Sequence, residues 1–312
     1  MNRAFIFPGQ GSQNINMGKE FYDSSIEAKS VYNEVDDVLK RKLSDIIFNG
    51  PSDILSDTIN TQPAIMATSI AILKVLLEKS GKKIEELCSV VAGHSLGEYS
   101  ALCASGVISL HDTADLLKIR STSMQNACPK GEGAMAACIG INHVKLKEII
   151  SNTISEGVCD IANDNVLGQI VISGHEYNID QIIAILKDSN YRAIKLNVSA
   201  PFHSKLMKNA ELPMIKAIEC INFNKPKVPI ITNVTAESII DTDEIKQGLI
   251  KQICGSVRWR ETMDKLALCG ITELVEIGPG KVLGGLAKKT SHNFKIFNIS
   301  SLIELDEFLQ EL

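Results

Sequence analysis

One serine of the sequence stands in a pattern that can supply a nucleophile. Residues 93–97 read Gly-His-Ser-Leu-Gly and fit G-x-S-x-G, with a short apolar run before them and a helical pattern after them. In this context the serine lies on a sharp turn between strand and helix, and its neighbours must lack Cβ atoms. The following helix N-terminus favours developing negative charge. The pattern predicts that Ser95 is a nucleophile, and a tight turn with a capping serine is the structural alternative.

A serine nucleophile needs a base, and His203 is the best candidate among six histidines. It follows the end of a predicted strand, where catalytic residues of α/β proteins gather. His94 adjoins the serine on the turn, where its side chain should point away from the hydroxyl. The other histidines are assigned to helix starts, a turn and a polar loop: His111, His143, His175 and His292. His203 is selected by elimination, because a structural role is common for any single histidine.

Arg120 is a candidate anion ligand. On a helix it shares one side with Leu116, Leu117 and Met124, whereas the polar neighbours point the other way. A cation on an apolar side either extends its head to water or binds an anion. Beside a serine nucleophile we expect that anion to be an acidic acyl group.

The elements that must position these residues alternate between strands and helices, which predicts an α/β protein with a largely parallel sheet. Strands are expected at residues 4–7 and 89–92, and residues 22–39 should form a helix. Residues 128–198 follow the order β-α-β-β-α-β of a ferredoxin-like unit, with a polar loop between strands 159–162 and 169–173. We interpret this unit as a small subdomain inserted into a larger one, residues 1–127 and 199–312. Further on, residues 206–221 should be helical and 228–232 a strand.

Bulk composition excludes several classes of function. The chain has 312 residues, 45% hydrophobic and 22% charged, and a net charge of −5, which argues against broad binding of nucleic acid or anionic membranes. Its eight cysteines form no C-x-x-C pair and no zinc-finger spacing, so we expect reduced thiols and no metal. No apolar segment approaches the roughly 18 residues of a membrane helix. A cytoplasmic protein is expected.

Six motifs occur in order along the chain: FPGQGSQ at 7–13, TQPA at 61–64, GHSLGE at 93–98, Arg120 in LLKIR at 116–120, APFHS at 200–204 and EIGPG at 276–280. Together they resemble the motifs of the malonyl-CoA:acyl-carrier-protein transacylases of dissociated fatty-acid synthesis. Each motif is weak alone, but six in the same order indicate the family. The resemblance implies a hydrolase-like parallel-sheet domain with an inserted ferredoxin-like subdomain.

The resemblance also implies roles for individual residues. Ser95 would be acylated and His203 would be its base, oriented by a backbone carbonyl near Gln252. The N–H groups of Gln10 and Leu96 would form the oxyanion hole. Arg120 would hold the malonyl carboxylate.

Further substrate and partner contacts are expected around this centre. Phe202, Asn163 and Met124 would line the acyl site, although the loop at Asn163 has Leu167 where the family usually has proline. Malonyl-CoA would be a substrate and acyl carrier protein the acceptor, with no cofactor. The acidic carrier would dock on the basic residues Arg192, Lys288 and Lys289.

Two other functions share some of these features. A serine hydrolase such as a thioesterase has the same turn, but it offers no obvious role for Arg120 or the inserted subdomain. A non-enzymatic acyl-binding module is disfavoured because the chain retains both Ser95 and His203.

Overall fold

The computed structural model describes residues 2–312, and its strands form two separate sheets. In chain order the strands are β1 Arg3–Phe7, β2 Val90–Gly93, β3 Gly133–Ile139, β4 Cys159–Val166, β5 Gln169–His175, β6 Arg192–Lys195, β7 Ile230–Ile231, β8 Ser238–Ile239, β9 Glu273–Ile277 and β10 Lys295–Ile299. The large sheet has the order β10-β9-β1-β2-β7-β8, and the small sheet has the order β4-β5-β3-β6.

Helices cover both faces of the large sheet and pack on the small one. They are α1 Lys19–Ser24, α2 Ile26–Leu39, α3 Leu43–Asn49, α4 Ser52–Ser56, α5 Thr58–Ser80, α6 Gly97–Ala104, α7 Leu110–Asn126, α8 His143–Thr153, α9 Glu176–Asp188, α10 Glu211–Glu219, α11 Thr242–Gln252, α12 Trp259–Leu268, α13 Val282–Ala287 and α14 Leu302–Leu309. Several begin at a side-chain cap; Ser109, for example, accepts a hydrogen bond from the N–H of Asp112 at the start of α7.

The large sheet is parallel except at its β8 edge, and this arrangement brings two loops together. Every residue of β1 is buried, as expected for a central parallel strand covered on both faces. Phe7 at the end of β1 pairs with Gly93 at the end of β2. The loops that follow, one leading to Gln10 and the other to Ser95, therefore begin side by side at the carboxyl edge of the sheet.

The small sheet is antiparallel, and α8 and α9 connect its strands in the order of a ferredoxin-like unit. The predicted fold class is confirmed. The small sheet and its two helices lie within residues 128–198. The exact division at 128 and 198 stays a prediction.

Helix α5 corrects one expectation. At 23 residues it is long and apolar enough to cross a bilayer, although no such segment was expected. Its most apolar window is 89% buried inside the protein. The helix is therefore apolar all round because it lies in the core.

Four local predictions were also wrong. Residues 22–39 form two helices that meet at Ser25, which caps the second. The predicted strand 228–232 is reduced to Ile230–Ile231, and residues 205–210 are a 3₁₀ helix. Residues 163–166 of the predicted polar loop belong to β4, which continues through Val166 with two irregularities in its pairing, and only residues 167–168 form a turn. Its asparagines are poor strand formers, and tertiary pairing overrides that preference.

Candidate active site

Ser95 occupies the turn between β2 and α6 with a left-handed backbone, φ 54°. The two flanking glycines are required by space. A Cβ on Gly93 would lie 1.9 Å from the carbonyl oxygen of Gly97, and a Cβ on Gly97 would lie 2.2 Å from that of Phe7. Asn233, which follows β7, accepts the Ser95 N–H at 2.7 Å through its side-chain oxygen. Because a positive φ is unfavourable for serine, the surrounding contacts must hold this turn in place.

His203 lies beside the serine. Its Nε2 is 2.7 Å from Ser95 Oγ, and its Nδ1 is 3.0 Å from the Gln252 carbonyl oxygen and 3.1 Å from that of Gly255. Carbonyl oxygens only accept hydrogen bonds, so Nδ1 carries the proton and Nε2 is free to accept the serine proton. Burial, and next the charge of Arg120, lower the pKa of His203 to about 3. The imidazole is therefore neutral at physiological pH and can act as a base.

Arg120 approaches the same serine from α7 and is only 1% exposed. Its Nη1 donates to Gln62 Oε1 at 2.6 Å, and its Nη2 donates to Gln252 Oε1 at 2.9 Å and to Ser95 Oγ at 3.2 Å. Its guanidinium also lies 5.4 Å from the ring centre of Tyr99. Among residues 2–312, no carboxylate forms an ion pair with it. A buried cation held only by neutral groups can accept an incoming anion.

Gln10 and Leu96 line the same cavity as Ser95. Gln10 belongs to the loop after β1, and its side-chain oxygen accepts a hydrogen bond from the Thr58 hydroxyl at 2.8 Å. Within the described chain, neither backbone N–H donates a hydrogen bond to a protein acceptor. Two free amide groups beside a serine can stabilise an oxyanion.

The cavity has a volume of about 120 Å³, and its remaining wall is largely apolar. That wall comprises Met124, Met135, Leu196, Val198 and Phe202, with Asn163 as a polar member. The structure therefore brings the three expected acyl-site residues, Phe202, Asn163 and Met124, to one cavity. Asn163 reaches it from β4, where its backbone forms a bridge with Val257, and not from a polar loop.

Among residues 2–312, no other histidine forms a hydrogen bond with Ser95, although His94 lines the same cavity. His94 points to the small subdomain, where its Nε2 lies 2.8 Å from Asn165 Oδ1 and its ring packs against Trp259. The other four do not line the cavity.

The three expected carrier-docking residues do not line the cavity. In the small sheet, Ile139 of β3 pairs with Arg192 of β6 on one side and with Gln169 of β5 on the other. Lys289 donates a hydrogen bond to Gln169 at 3.1 Å, and Lys288 beside it is exposed. Arg192 and Lys289 therefore lie at the same end of the small sheet, and Lys288 precedes Lys289 in the chain.

Sequence reasoning assigned no role to three side chains that hold the centre together. Gln62 contacts Arg120, Asn233 holds the Ser95 amide, and Glu98 contacts both Asn233 and Gln252. Gln62 and Glu98 both lie in motifs that were recognised. Asn233 could have been suggested only by its place after a predicted strand.

Comparisons with known proteins agree with this geometry. Residues 4–303 match the family described as the acyl transferase domain. The malonyl CoA-acyl carrier protein transacylase of Bacillus subtilis strain 168 is 42% identical over 311 residues, 99% of this chain and 96% of that protein. The solved acyl-carrier-protein-S-malonyltransferase of Bartonella henselae is 46% identical, with a TM-score of 0.97 and coverage of 100% of this chain and 99% of that one.

One further solved structure shows a malonyl-transacylase in complex with its type II polyketide synthase acyl-carrier protein. It is 34% identical, has a TM-score of 0.95, and the match covers 100% of both chains. The family resemblance and the prediction of an acyltransferase are confirmed. This chain belongs to the malonyl-CoA–acyl carrier protein transacylase family of acyltransferases.

Proposed function

We propose that this enzyme transfers malonyl from malonyl-CoA to the phosphopantetheine thiol of acyl carrier protein, for fatty-acid biosynthesis, through a malonyl ester of Ser95. The names of its relatives support the two substrates, as does the relative solved with its carrier protein. The observation that carries the proposal is the buried Arg120 cation, which lies 3.2 Å from the candidate nucleophile without a carboxylate partner of its own among residues 2–312.

The first half-reaction follows from the contacts of Ser95. His203 Nε2 takes the hydroxyl proton as Oγ attacks the thioester carbonyl. The N–H groups of Gln10 and Leu96 stabilise the oxyanion, and Arg120 binds the malonyl carboxylate. When the tetrahedral intermediate collapses, the carbon–sulfur bond breaks and coenzyme A leaves as a thiol with the proton from His203.

The second half-reaction is the reverse with another thiol. The carrier's phosphopantetheine thiol gives its proton to His203 and attacks the malonyl ester, and Ser95 recovers its proton as the new thioester forms. The carbonyls of Gln252 and Gly255 hold the imidazole in one tautomer throughout. No step draws on a metal or an organic cofactor.

Two broader assignments belong to the same proposal. Residues 1–127 and 199–312 form the catalytic domain, and residues 128–198 form the small subdomain that closes the acyl site. The enzyme works in the cytoplasm, which its eight free cysteines support because thiols persist in reducing compartments.

The test is the intact mass of the protein after mixing with malonyl-CoA in the absence of carrier. We expect one malonyl adduct, located on Ser95, in the wild type and none in Ser95→Ala. An adduct on another residue would contradict the mechanism. Adding either carrier protein or buffer to the isolated adduct then distinguishes transfer from hydrolysis, since a thioesterase would release malonate to water at a comparable rate.

A further inference from the structure

Glu98 is a buried carboxylate next to the reaction centre that the mechanism does not use. It is the second residue of α6, is 0% exposed and does not line the cavity. Its Oε2 accepts hydrogen bonds from Gln252 Nε2 at 2.7 Å and from the Asn233 N–H at 3.1 Å. Its Oε1 has no hydrogen-bond partner among residues 2–312. Burying a carboxylate costs free energy, so its presence at this position must have a physical reason.

Gln252 connects Glu98 to Arg120. The Gln252 amide nitrogen donates to Glu98 and to the Ser95 carbonyl oxygen at 3.0 Å, while its oxygen accepts from Arg120 Nη2 at 2.9 Å. A reversed amide would point its N–H groups at the guanidinium, which has only donors, and its oxygen at two acceptors. Burial raises the pKa of Glu98 to about 7, but its Oε2 accepts from Gln252 and Asn233 whether or not Oε1 carries a proton, and this acceptor selects the observed orientation.

This orientation decides where Arg120 points. The side-chain oxygens of Gln252 and Gln62 hold the guanidinium so that Nη2 lies 3.2 Å from Ser95 Oγ, the atom that would carry the acyl group. A guanidinium grips a carboxylate through a fixed planar fork, so a small rotation weakens the pair.

We propose that Glu98 is a positioning residue for acyl selection: it holds the Gln252 amide in the orientation that aims Arg120 at the acyl group on Ser95. This inference rests on the proposed role of Arg120 as the ligand of the malonyl carboxylate. Acetyl has no carboxylate, so the effect of Glu98 is specific to malonyl. A carboxylate that merely braced the serine turn through Asn233 would affect both acyl groups equally.

The experiment measures kcat/KM for malonyl-CoA and acetyl-CoA in the wild type, Glu98→Ala and Glu98→Gln. We expect Glu98→Ala to lower the malonyl-to-acetyl ratio about tenfold, the equivalent of about 1.4 kcal/mol or one hydrogen bond. Glu98→Gln is the matched control. It keeps an oxygen that can accept from both Gln252 and Asn233, so its ratio should stay within about threefold of the wild type. Equal loss with both substrates in Glu98→Ala would overturn the proposal.

Gln252→Leu provides a second route to the same answer and leaves the carboxylate in place. Gln252→Leu removes the side-chain amide but keeps the backbone carbonyl that orients His203. We expect it to lower the malonyl-to-acetyl ratio of kcat/KM by a comparable factor. Because both residues act through one amide, the double variant should fall no further than Gln252→Leu alone. Additive losses would contradict the proposal, as would an unchanged ratio in Gln252→Leu, and this test stands even if Glu98→Ala fails to fold.

Arg120→Ala separates failure of this inference from failure of the proposed function. If Arg120→Ala abolishes malonyl selectivity and the Glu98 and Gln252 variants preserve it, only the positioning role is wrong. If Arg120→Ala itself leaves the ratio unchanged, the carboxylate-binding role fails first and the positioning role fails with it. Thermal unfolding of each variant identifies losses that come from stability.

Discussion

The two walls of the acyl cavity are built on different principles. One wall is polar: Ser95, Arg120 and His203 each contact one another or a buried amide or carbonyl. The other wall is mainly apolar, and it includes Met135 from β3 and Leu196 and Val198 from the segment after β6. One wall holds groups at fixed hydrogen-bond distances, and the other only occupies volume.

This difference indicates a division of work. A buried polar group must keep its partners, so moving one member of the polar wall disturbs all of them. An apolar wall is constrained by the space it fills, and substitutions of similar size are tolerated. We therefore expect the polar wall to determine which reaction occurs and the apolar wall to determine how large an acyl group is accepted. Three experiments test this expectation inside the cavity, and a fourth tests the carrier-docking surface outside it.

The largest expected effect is on acyl selection by the polar wall. Removing one partner of a desolvated charge pair costs about 2–5 kcal/mol, which is about 30-fold to several-thousand-fold in specificity. Arg120→Ala should lower the malonyl-to-acetyl ratio of kcat/KM by that factor, with acetyl transfer unchanged or improved. Arg120→Lys keeps the charge without the fork and should be intermediate. If both activities fall together, Arg120 is structural.

The second effect is on the pH profile of the base. His203 acts in its neutral form, so activity is lost as pH falls through its pKa, and a lowered pKa moves that loss to lower pH. Burial and Arg120 lower the pKa of His203 to about 3, so kcat/KM with acetyl-CoA should be free of a histidine titration between about pH 8 and pH 5. Arg120→Ala removes one of these two causes of the lowered pKa, so the acidic limb of the pH profile should move to higher pH. A wild-type limb near the ordinary histidine pKa of about 6.5 would contradict this reading.

The third effect concerns the size of the acyl group. Phe202 lies in the apolar wall next to the base and is 8% exposed. One methyl group in an apolar pocket is worth about 1–3 kcal/mol, so Phe202→Ala should improve methylmalonyl-CoA relative to malonyl-CoA by about tenfold. Phe202→Leu retains more of the volume and should give a smaller gain. An unchanged preference would place the size limit elsewhere in the wall.

The smallest effect is expected on the binding of carrier protein, at a surface outside the cavity. Reversing the charges of Arg192, Lys288 and Lys289 should raise KM for carrier protein severalfold and leave malonyl exchange between coenzyme A molecules nearly intact. Such contacts set the association rate, so the difference should shrink as salt is added. The matched control reverses three other exposed lysines, Lys29, Lys40 and Lys225, for the same change in net charge. Equal effects of the two triple variants would refute a local docking surface.

The sequence predicted those parts of this site that depend on residues close to one another in the chain. The strand–turn–helix pattern identified Ser95, and helical periodicity placed Arg120 on a buried side. It did not predict that Asn233 would hold Ser95, because that contact joins residues 138 apart and depends on β7 lying beside β2. The sequence predicts a loop at the asparagines of β4 because asparagine has a low strand propensity, which opposes their pairing with β5. The last strand and helix, β10 and α14, were not predicted.

The groups that orient His203 are main-chain carbonyls, of Gln252 and Gly255, and this has an evolutionary consequence. A carboxylate in that place could be lost through a single codon change, as could any side chain. A carbonyl belongs to every residue, so point substitution at these positions leaves an acceptor behind. The orientation of the His203 imidazole is therefore determined by the path of the backbone from the end of α11 to Gly255. Only an insertion, a deletion or a rerouting of that segment would erase it.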